Sequence, residues 1–282
     1  MGQRVIVAMS GGVDSSVAAA LLQEEGYEVV GVTLRLWPEE TGHPHPCCLS
    51  EGVSDAQAVA RHLGIPHYVL DMEAPFRQHV VDYFCAEYAQ GRTPNPCLAC
   101  NRVLKFGLLL EKALALGATY LATGHYCRIV GVNGGFRLLR GADGAKDQSY
   151  FLYMLGQREM SRVLFPVGGL TKVQVREYAR RHGLPVADKA ESQEVCFVPG
   201  DYRSFLAERL PPAPGPVVDV GGGVVGEHSG IAFFTVGQRR GLGLGGGPPR
   251  YVVRLEPEAR RVVVGVMSRG RRAWYAVIVF LV

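Results

Sequence analysis

The sequence predicts an α/β fold, a doubly wound parallel sheet followed by a small β-rich domain. Three observations predict it. Apolar runs of strand length alternate with helix-length amphipathic segments from Val5 to Thr123, the pattern of parallel βαβ units. A Gly-rich turn, Ser10–Asp14, joins the first strand to the first helix. Beyond about Asp201 a linker-like stretch, Pro211-Pro212-Ala213-Pro214-Gly215-Pro216, gives way to short β-like runs.

The elements follow in order. Val5–Ala8 is a short apolar run of the kind buried in parallel sheets. Ser15–Glu25 has helical spacing at Val17, Ala20 and Leu21 and ends before Gly26, a C-terminal glycine. Glu28–Leu36 is the second strand, Val53–Leu63 a helix stopped by Gly64, and Pro66–Leu70 the third strand. Phe76–Tyr88 and Val103–Leu116 are helical, and Tyr120–Thr123 is the fourth strand. Val132-Asn133-Gly134-Gly135 between Tyr126–Val130 and Phe136–Arg140 predicts a hairpin. Asp147–Leu155 and Lys172–Arg181 read as helices. Strands are expected at Val217–Val220, Gly223–Glu227, Ala232–Val236, Tyr251–Leu255 and Arg261–Gly265. The expected division is therefore 1–200, 201–266 and an apolar tail, 267–282, whose last nine residues are too few to cross a bilayer as a helix.

Composition narrows the class. The 282 residues are 48% hydrophobic and 20% charged, with a formal net charge of +4. That is ordinary globular composition with a mild basic excess, compatible with an acidic partner such as RNA without requiring one. No signal-peptide pattern and no run of about 18 apolar residues is present, so a cytoplasmic protein without a membrane span is expected. Seven cysteines in such a chain point to reduced thiols with chemical or metal roles.

Ser10-Gly11-Gly12-Val13-Asp14-Ser15-Ser16 carries the first chemistry. Its glycines let backbone N–H groups close on phosphate oxygens at a helix N-terminus, and its serines offer further donors. Asp14 is the expected ligand of the Mg²⁺ that accompanies ATP. No Gly-Lys-Ser/Thr follows, so this is not a Walker A loop. A glycine pair capping a helix is the plain alternative, and the six-residue match in strand–loop–helix context outweighs it.

Cysteines carry the second. In Thr93-Pro94-Asn95-Pro96-Cys97-Leu98-Ala99-Cys100-Asn101-Arg102, two prolines stiffen a loop expected to end at a helix near Arg102. Cys100, just ahead of that helix and near Arg102 and Lys105, reads as an activated nucleophile. By itself the pair remains open between a redox couple, half a metal site and a structural motif. Cys196, in Ser192-Gln193-Glu194-Val195-Cys196-Phe197, is the third thiol in polar surroundings. Cys85 and Cys127 sit in apolar patterns and read as packed thiols. Cys47 and Cys48, with His43 and His45 nearby, fit no regular zinc spacing and read as a solvated loop.

Taken together, the Ser-Gly-Gly-Val-Asp-Ser loop of the PP-loop ATP pyrophosphatases, Asn95-Pro96-Cys97-x-x-Cys100-Asn101 and Ser192–Phe197 resemble the tRNA-specific 2-thiouridylases. Ala122–Tyr126, Lys146–Phe151 and Thr235–Gly243 extend the resemblance in family order. It implies an adenine nucleotide hydrolase-like sheet with ATP on Ala8, Met9, Ser10, Gly11, Gly12, Val13, Asp14 and Ser15. Leu34 and Gly124 would line the adenosine. It implies a tRNA substrate whose wobble uridine (U34) is adenylated at O2 and thiolated at C2. Cys196 would carry a persulfide supplied by a partner such as a cysteine desulfurase or a sulfur-relay protein, and Cys100 would resolve it as a Cys100–Cys196 disulfide.

Asn95, Pro96 and Cys97 are implied contacts of the target base, and His125, Lys146, Asp147 and Gln148 of the tRNA. Taken alone, His125 reads as a hydrogen-bonded strand-end histidine, Asp147 as a helix cap and Gln238-Arg239-Arg240 as a solvated basic turn. The chain departs from the family pattern at Cys97, where many members carry Asp. That extra thiol makes Cys97, Cys100 and Cys196 a candidate set for a [4Fe-4S] cluster in a sulfide-using variant. It also departs at the end, where residues 267–282 do not resemble the family's continuation into a further barrel, so a truncated chain is expected. An inactive ATP- or tRNA-binding remnant and an amidating PP-loop ligase are the rival readings; the thiols disfavour the ligase.

Overall fold

The structure, a computed structural model, describes residues 2–37, 50–191, 195–198, 200–245 and 247–266. The histidine- and cysteine-bearing loop around Cys47, the Ser192–Glu194 stretch and the 267–282 tail lie outside the described residues. The chain divides into two compact units, residues 1–80 with 97–199 and residues 81–96 with 200–282. This differs from a single cut near residue 200 in assigning 81–96 to the second unit.

The first unit is built on a five-stranded parallel sheet in the order β3-β2-β1-β4-β7. Its strands are β1 (Arg4–Ala8), β2 (Glu28–Arg35), β3 (His67–Asp71), β4 (Tyr120–Ala122) and β7 (Val163–Leu164). β1 is central, with Val5 opposite Val29 on β2 and Tyr120 on β4. Successive residues of a strand face opposite sides, and β1 therefore serves two cores. Val5 and Val7 pack with α1 (Val13–Glu24), α2 (Ser50–Leu63) and α8 (Lys172–Arg181) through Val17, Ala56, Val59 and Val175. Ile6 packs on the other face with Phe106, Leu109, Leu110 and Ala113. Burying each such aliphatic side chain contributes roughly 1.5–3 kcal/mol, so helices on both faces hold the sheet. Strand order reverses between β1 and β4, and ligands of open α/β sheets bind at the C-terminal ends of strands at such a point.

Four local outcomes differ from expectation. The helical stretch after Pro94 begins at Pro96, as α5 (Pro96–Ala99), widens into a π-helix over Cys100–Leu109 and closes as α6 (Leu110–Ala115). Proline at a first helical position lacks only an N–H that would be orphaned anyway. The earlier helix is likewise interrupted by a π-turn, Arg77–Val81, between α3 (Glu73–Phe76) and α4 (Asp82–Ala89). Asp147–Leu155 is not a helix beyond the single turn Ser149–Phe151. There Asp147 accepts from the backbone N–H groups of Gly141 and Ser149 and from the Ser149 hydroxyl, closing a loop rather than opening a long helix. Ala232–Val236 is not a strand. Ile231–Phe233 forms one 3₁₀ turn that buries Ile231 and Ala232, since a short apolar run fits a buried turn as well as a strand. The hairpin is as expected: β5 (Cys127–Val132) pairs with β6 (Gly135–Arg140) around Asn133 and Gly134, whose φ is +88°.

In the second unit a four-stranded sheet in the order β10-β11-β8-β9 joins β8 (Gly215–Asp219), β9 (Val224–His228), β10 (Arg250–Glu256) and β11 (Arg261–Val266). β8 and β11 run parallel, with Val217 opposite Val262. Its core contains Val217, Ile231, Phe234, Leu242, Val252, Val262 and Val264. The 81–96 segment belongs here by its aromatic contacts. Tyr88 stacks on Tyr202 at a centroid distance of 5.1 Å, and Phe84 meets Phe205 edge-on at 6.1 Å, both partners lying on or beside α9 (Tyr202–Ala207). The Thr235 loop is held from within: Gln238 accepts from the Thr235 N–H and donates to the Arg240 carbonyl, leaving Arg239 and Arg240 exposed. No helix among the described residues is long and apolar enough to cross a membrane.

Candidate active site

The loop after β1 is fixed by its own hydroxyls. The Ser10 N–H donates to Ser15 Oγ at 3.2 Å, and Ser15 Oγ donates to the Gly12 carbonyl at 3.1 Å. Ser16 is fully buried and donates to the same carbonyl at 2.9 Å, so it supports the loop from behind and is not a phosphate donor. Gly12 caps α1 without a side-chain hydrogen bond, which leaves the first N–H groups of this helix facing the loop. Such a terminus attracts anions. Gly11 needs its φ of +73°, and a Cβ there would lie 2.3 Å from the Gly52 carbonyl oxygen. Gly124 is equally constrained, because a Cβ would meet the Ser15 nitrogen at 2.6 Å and the Asp14 carbonyl carbon at 2.7 Å. The segment after β4 therefore approaches the first turn of α1 backbone to backbone.

Two cavities flank this approach within the first unit. One, of about 210 Å³, is lined by Ala8, Met9, Ser10, Asp14 and Ser15 with Leu34, Gly124, His125 and Gln148. It brings together most of the residues expected to hold ATP, and its mixed lining of Val32, Leu34 and Leu36 with polar groups suits a base and a sugar. Its rear wall carries a feature the motifs did not disclose. Thr33 Oγ1 donates to the Met9 carbonyl at 2.8 Å and lies 2.8 Å from His67 Nε2. That geometry asks His67 to donate from Nε2, and burial lowers its pKa, which favours the neutral ring.

The second cavity, of about 290 Å³, opens on the other side of the loop and shares Ser10, Asp14 and Gln148 with the first. Gly12 and Val13 also line it. Its charges form one network. Lys172, nearly buried, donates to both oxygens of Asp14 at 2.8 Å and approaches Glu191 at 3.1 Å. Tyr126 donates to Asp14 Oδ1 at 2.7 Å, and its own hydroxyl is pushed well up by burial and by that carboxylate. Glu191 also accepts from Lys146 at 2.7 Å. The Lys146 and Lys172 ammonium groups hold its carboxyl below the usual range against some desolvation. Asp14 was expected to hold Mg²⁺. Here its oxygens accept from the Lys172 ammonium and the Tyr126 hydroxyl. Lys172, Lys189 and Glu191 were missed in the sequence. No spacing links them to the loop, since 158 positions separate Lys172 from Asp14.

The other expected residues are distributed as follows. His125 is half-buried between Phe106 and Phe165, its Nδ1 2.7 Å from Thr123 Oγ1. Desolvation, with Lys105 nearby, drives its pKa well down, so the ring is neutral. Gln148 accepts from the Tyr126 N–H at 3.0 Å and faces both cavities. Asp147 is committed to its own loop as described above. Asn95 is half-buried and Pro96 buried; both belong to the second unit. Cys97, in the first turn of α5, is exposed, whereas Cys100 is buried five residues into the helical stretch. The helix-terminus argument therefore applies to Cys97, and Cys100 lies beyond the terminal amides. Cys196 is half-buried in a turn next to Phe197, whose ring packs on Phe76 at 5.5 Å. Cys85 and Cys127 are buried, and burial raises both thiols.

Among the described residues no three His, Cys, Asp or Glu side chains gather as metal ligands, and Cys97, Cys100 and Cys196 all lie within them. Cys97 is exposed and Cys100 buried.

Comparison with known proteins finds relatives along nearly the whole chain. A family profile described as the tRNA methyl transferase HUP domain matches residues 3–200, and one described as the tRNA methyl transferase PRC-barrel domain matches residues 203–266. A tRNA-specific 2-thiouridylase MnmA of Moorella thermoacetica is 55% identical over 280 residues, covering 96% of this chain and 78% of that one. The protein of the same name from Heliobacterium modesticaldum is 54% identical over 282 residues, covering 96% and 73%. With the loop, the cavities and both outlying thiols carried on a sheet of this order, and identity above half along nearly the whole chain, the chain belongs to the tRNA-specific 2-thiouridylase family.

Proposed function

We propose that the protein is an ATP-dependent tRNA sulfurtransferase that converts the wobble uridine of tRNA to a 2-thiouridine. The observation that carries this is the pair of cavities that meet at Ser10 and Asp14 of one phosphate loop and at Gln148, in a chain 54–55% identical to proteins named tRNA-specific 2-thiouridylases. The first cavity takes the adenosine of ATP, with Leu34 and Gly124 against the nucleoside and Ala8–Ser15 under the phosphates. Asp14 is the residue that would join the phosphate oxygens in holding the Mg²⁺ that accompanies ATP.

Adenylation makes a poor leaving group a good one. The uridine O2 attacks the α-phosphorus and pyrophosphate departs with the bonding electrons. A persulfide on Cys196 then adds its terminal sulfur to C2, and AMP leaves with the former O2. The Cys100 thiolate attacks the Cys196 sulfur, the S–S bond to the transferred sulfur breaks, and that sulfur remains on C2. A Cys100–Cys196 disulfide results, and a cytoplasmic thiol reductant restores both thiols. Cysteine desulfurase or a relay protein is the source of the persulfide. Asn95, Pro96 and Cys97 receive the base, which must leave its anticodon stack to react. His125, Lys146, Asp147 and Gln148 contact the tRNA around it.

Nucleoside mass spectrometry of tRNA incubated with the protein, ATP, Mg²⁺ and a persulfide-generating system tests this. A 2-thiouridine derivative formed by the unaltered chain and absent with Cys196→Ser supports it. Equal product with and without Cys196 removes the persulfide route.

A further inference from the structure

Three arginines of the first unit stand around a further cavity, of about 220 Å³, that the motifs do not touch. They are Arg102, on the Cys100–Leu109 stretch, and Arg158 and Arg162; Phe106, Leu110 and Leu155 are the buried part of the lining. All three arginines are exposed, and among the described residues none of them is held in an ion pair. Other surface arginines of this unit are paired: Arg4 with Glu28, Arg35 with Asp71, Arg180 with Asp188. Two carboxylates share the lining, Glu111 and Glu159. Glu159 is occupied in capping its own short helix, Gln157–Met160, where it accepts from the Gly156 N–H at 2.9 Å. Unpaired guanidinium groups gathered at one cavity repel one another, and a bound anion relieves that repulsion.

The surface beside the cavity is aromatic. Tyr153, 72% exposed, immediately precedes Met154 of the lining, and Tyr150 is 47% exposed. Asn101, buried and next to Arg102 in the chain, donates to the Phe151 carbonyl at 3.4 Å, which ties the helix bearing Arg102 to the turn bearing Tyr150. Burial first and then the neighbouring Cys97 raise the Tyr150 phenol, so that ring lies beside the residue proposed to receive the target base. An acidic protein face would satisfy the arginines alone. The aromatic run from Cys97 favours a polymer with both an anionic backbone and flat bases.

Resting on the tRNA reading above, we propose that this cavity is a backbone seat for the tRNA, in which Arg102, Arg158 and Arg162 hold phosphodiesters of nucleotides flanking the reacting uridine while Tyr150 and Tyr153 stack on neighbouring bases. The guanidinium fork meets two phosphate oxygens at once, and stacking accepts any base. The arginines then supply register and affinity without reading sequence. Recognition of the uridine is left to the residues around Cys97.

Binding of unmodified tRNA to the full chain across a series of KCl concentrations tests this without turnover. The unaltered protein is expected to bind with an affinity that falls steeply with salt. Arg158→Gln and Arg162→Gln should each weaken binding about three- to tenfold and flatten the slope of log K on log[KCl] by about 0.7–0.9. Arg158→Lys keeps a point charge and should recover most of that slope. Tyr153→Ala should weaken binding about fivefold or more with the slope unchanged, since stacking releases no counterions. ATP affinity checks that each variant is folded. A variant carrying both Arg158→Gln and Arg162→Gln that binds tRNA as the unaltered chain does overturns the proposal; if it loses sulfur transfer from a donor protein instead, the arginines belong to that partner. Weaker binding with an unchanged slope in the arginine variants also overturns it, because no phosphate contact has been lost. A chain that binds no tRNA removes the functional reading and this inference together, whereas tRNA binding indifferent to the arginines removes the inference alone.

Discussion

Lys172 Nζ lies 2.8 Å from both carboxylate oxygens of Asp14, although the two residues open different helices at opposite ends of the first unit's sequence. The pair ties α8 to the phosphate loop, and Tyr126 adds a third partner to the same carboxylate. Loop position and charge balance are therefore one property of the fold.

Replacing Asp14 with Asn tests that coupling. The ammonium of Lys172 keeps Glu191 but loses its main partner. Breaking a fully buried pair costs about 3–5 kcal/mol; because Asp14 is partly exposed and Glu191 remains, a loss of about 1–2 kcal/mol is expected in denaturant unfolding. Turnover should fall about 100-fold or more, as for removal of one preorganised electrostatic group. A variant with unchanged stability and unchanged 2-thiouridine yield would show that the pair is incidental.

Gly124→Ala should weaken nucleotide binding with little loss of core packing. The added methyl would press on the backbone at Asp14 and Ser15, at 2.6–2.7 Å, where no flexible side chain is available to yield. Loop and strand must then separate. Calorimetry with ATP should show at least a tenfold loss of affinity; retained affinity would mean that the loop relaxes freely.

Thiol reactivity should follow burial. Under native conditions a brief pulse of iodoacetamide is expected to modify exposed Cys97 first. Cys85 and Cys127, whose thiols are raised by burial, should react only after unfolding. Peptide mass spectrometry identifies the sites, and early labelling of Cys127 would contradict the packing of β5 against the core.

Glu191 should make stability pH-dependent on the acid side. Its folded-state pKa is depressed below the ordinary 4.5 by Lys146 and Lys172. It therefore adds stability above that value and loses it as pH falls through the depressed one, where the unfolded chain already binds the proton. The Tm difference between the unaltered protein and Glu191→Gln should be largest near neutrality and vanish well below pH 4.5. A difference that persists in acid would assign the effect to packing instead.

Much of the fold was legible because its signals are local. Val5–Ala8, the glycines Gly26, Gly64 and Gly117 that close three helices and the Asn133-Gly134 turn each act within a few residues. Misreadings arose where local signals are ambiguous or tertiary contacts override them. Ile231–Phe233 is apolar enough for a strand but packs as a turn. Asp147 is a good helix cap whose oxygens are drawn off by Gly141 and Ser149. Pro96 reads as a loop residue yet starts a helix, and that moved Cys100 from the helix terminus to its interior.

The sequence by itself determined the phosphate-loop motif and most of the alternating strands and helices of the first unit, since these depend on contiguous residues with fixed spacing. Only the tertiary structure decided which charges surround that loop. Lys172, Lys189, Glu191, Thr33 and His67 meet the site from elements far apart in the chain, and no periodicity records such a meeting. It also left Cys97 exposed and Cys100 buried, a difference in reactivity that their spacing does not record. Spacing places residues along the chain; the packing of α8 and the Lys189–Glu191 segment against the loop places their charges in space.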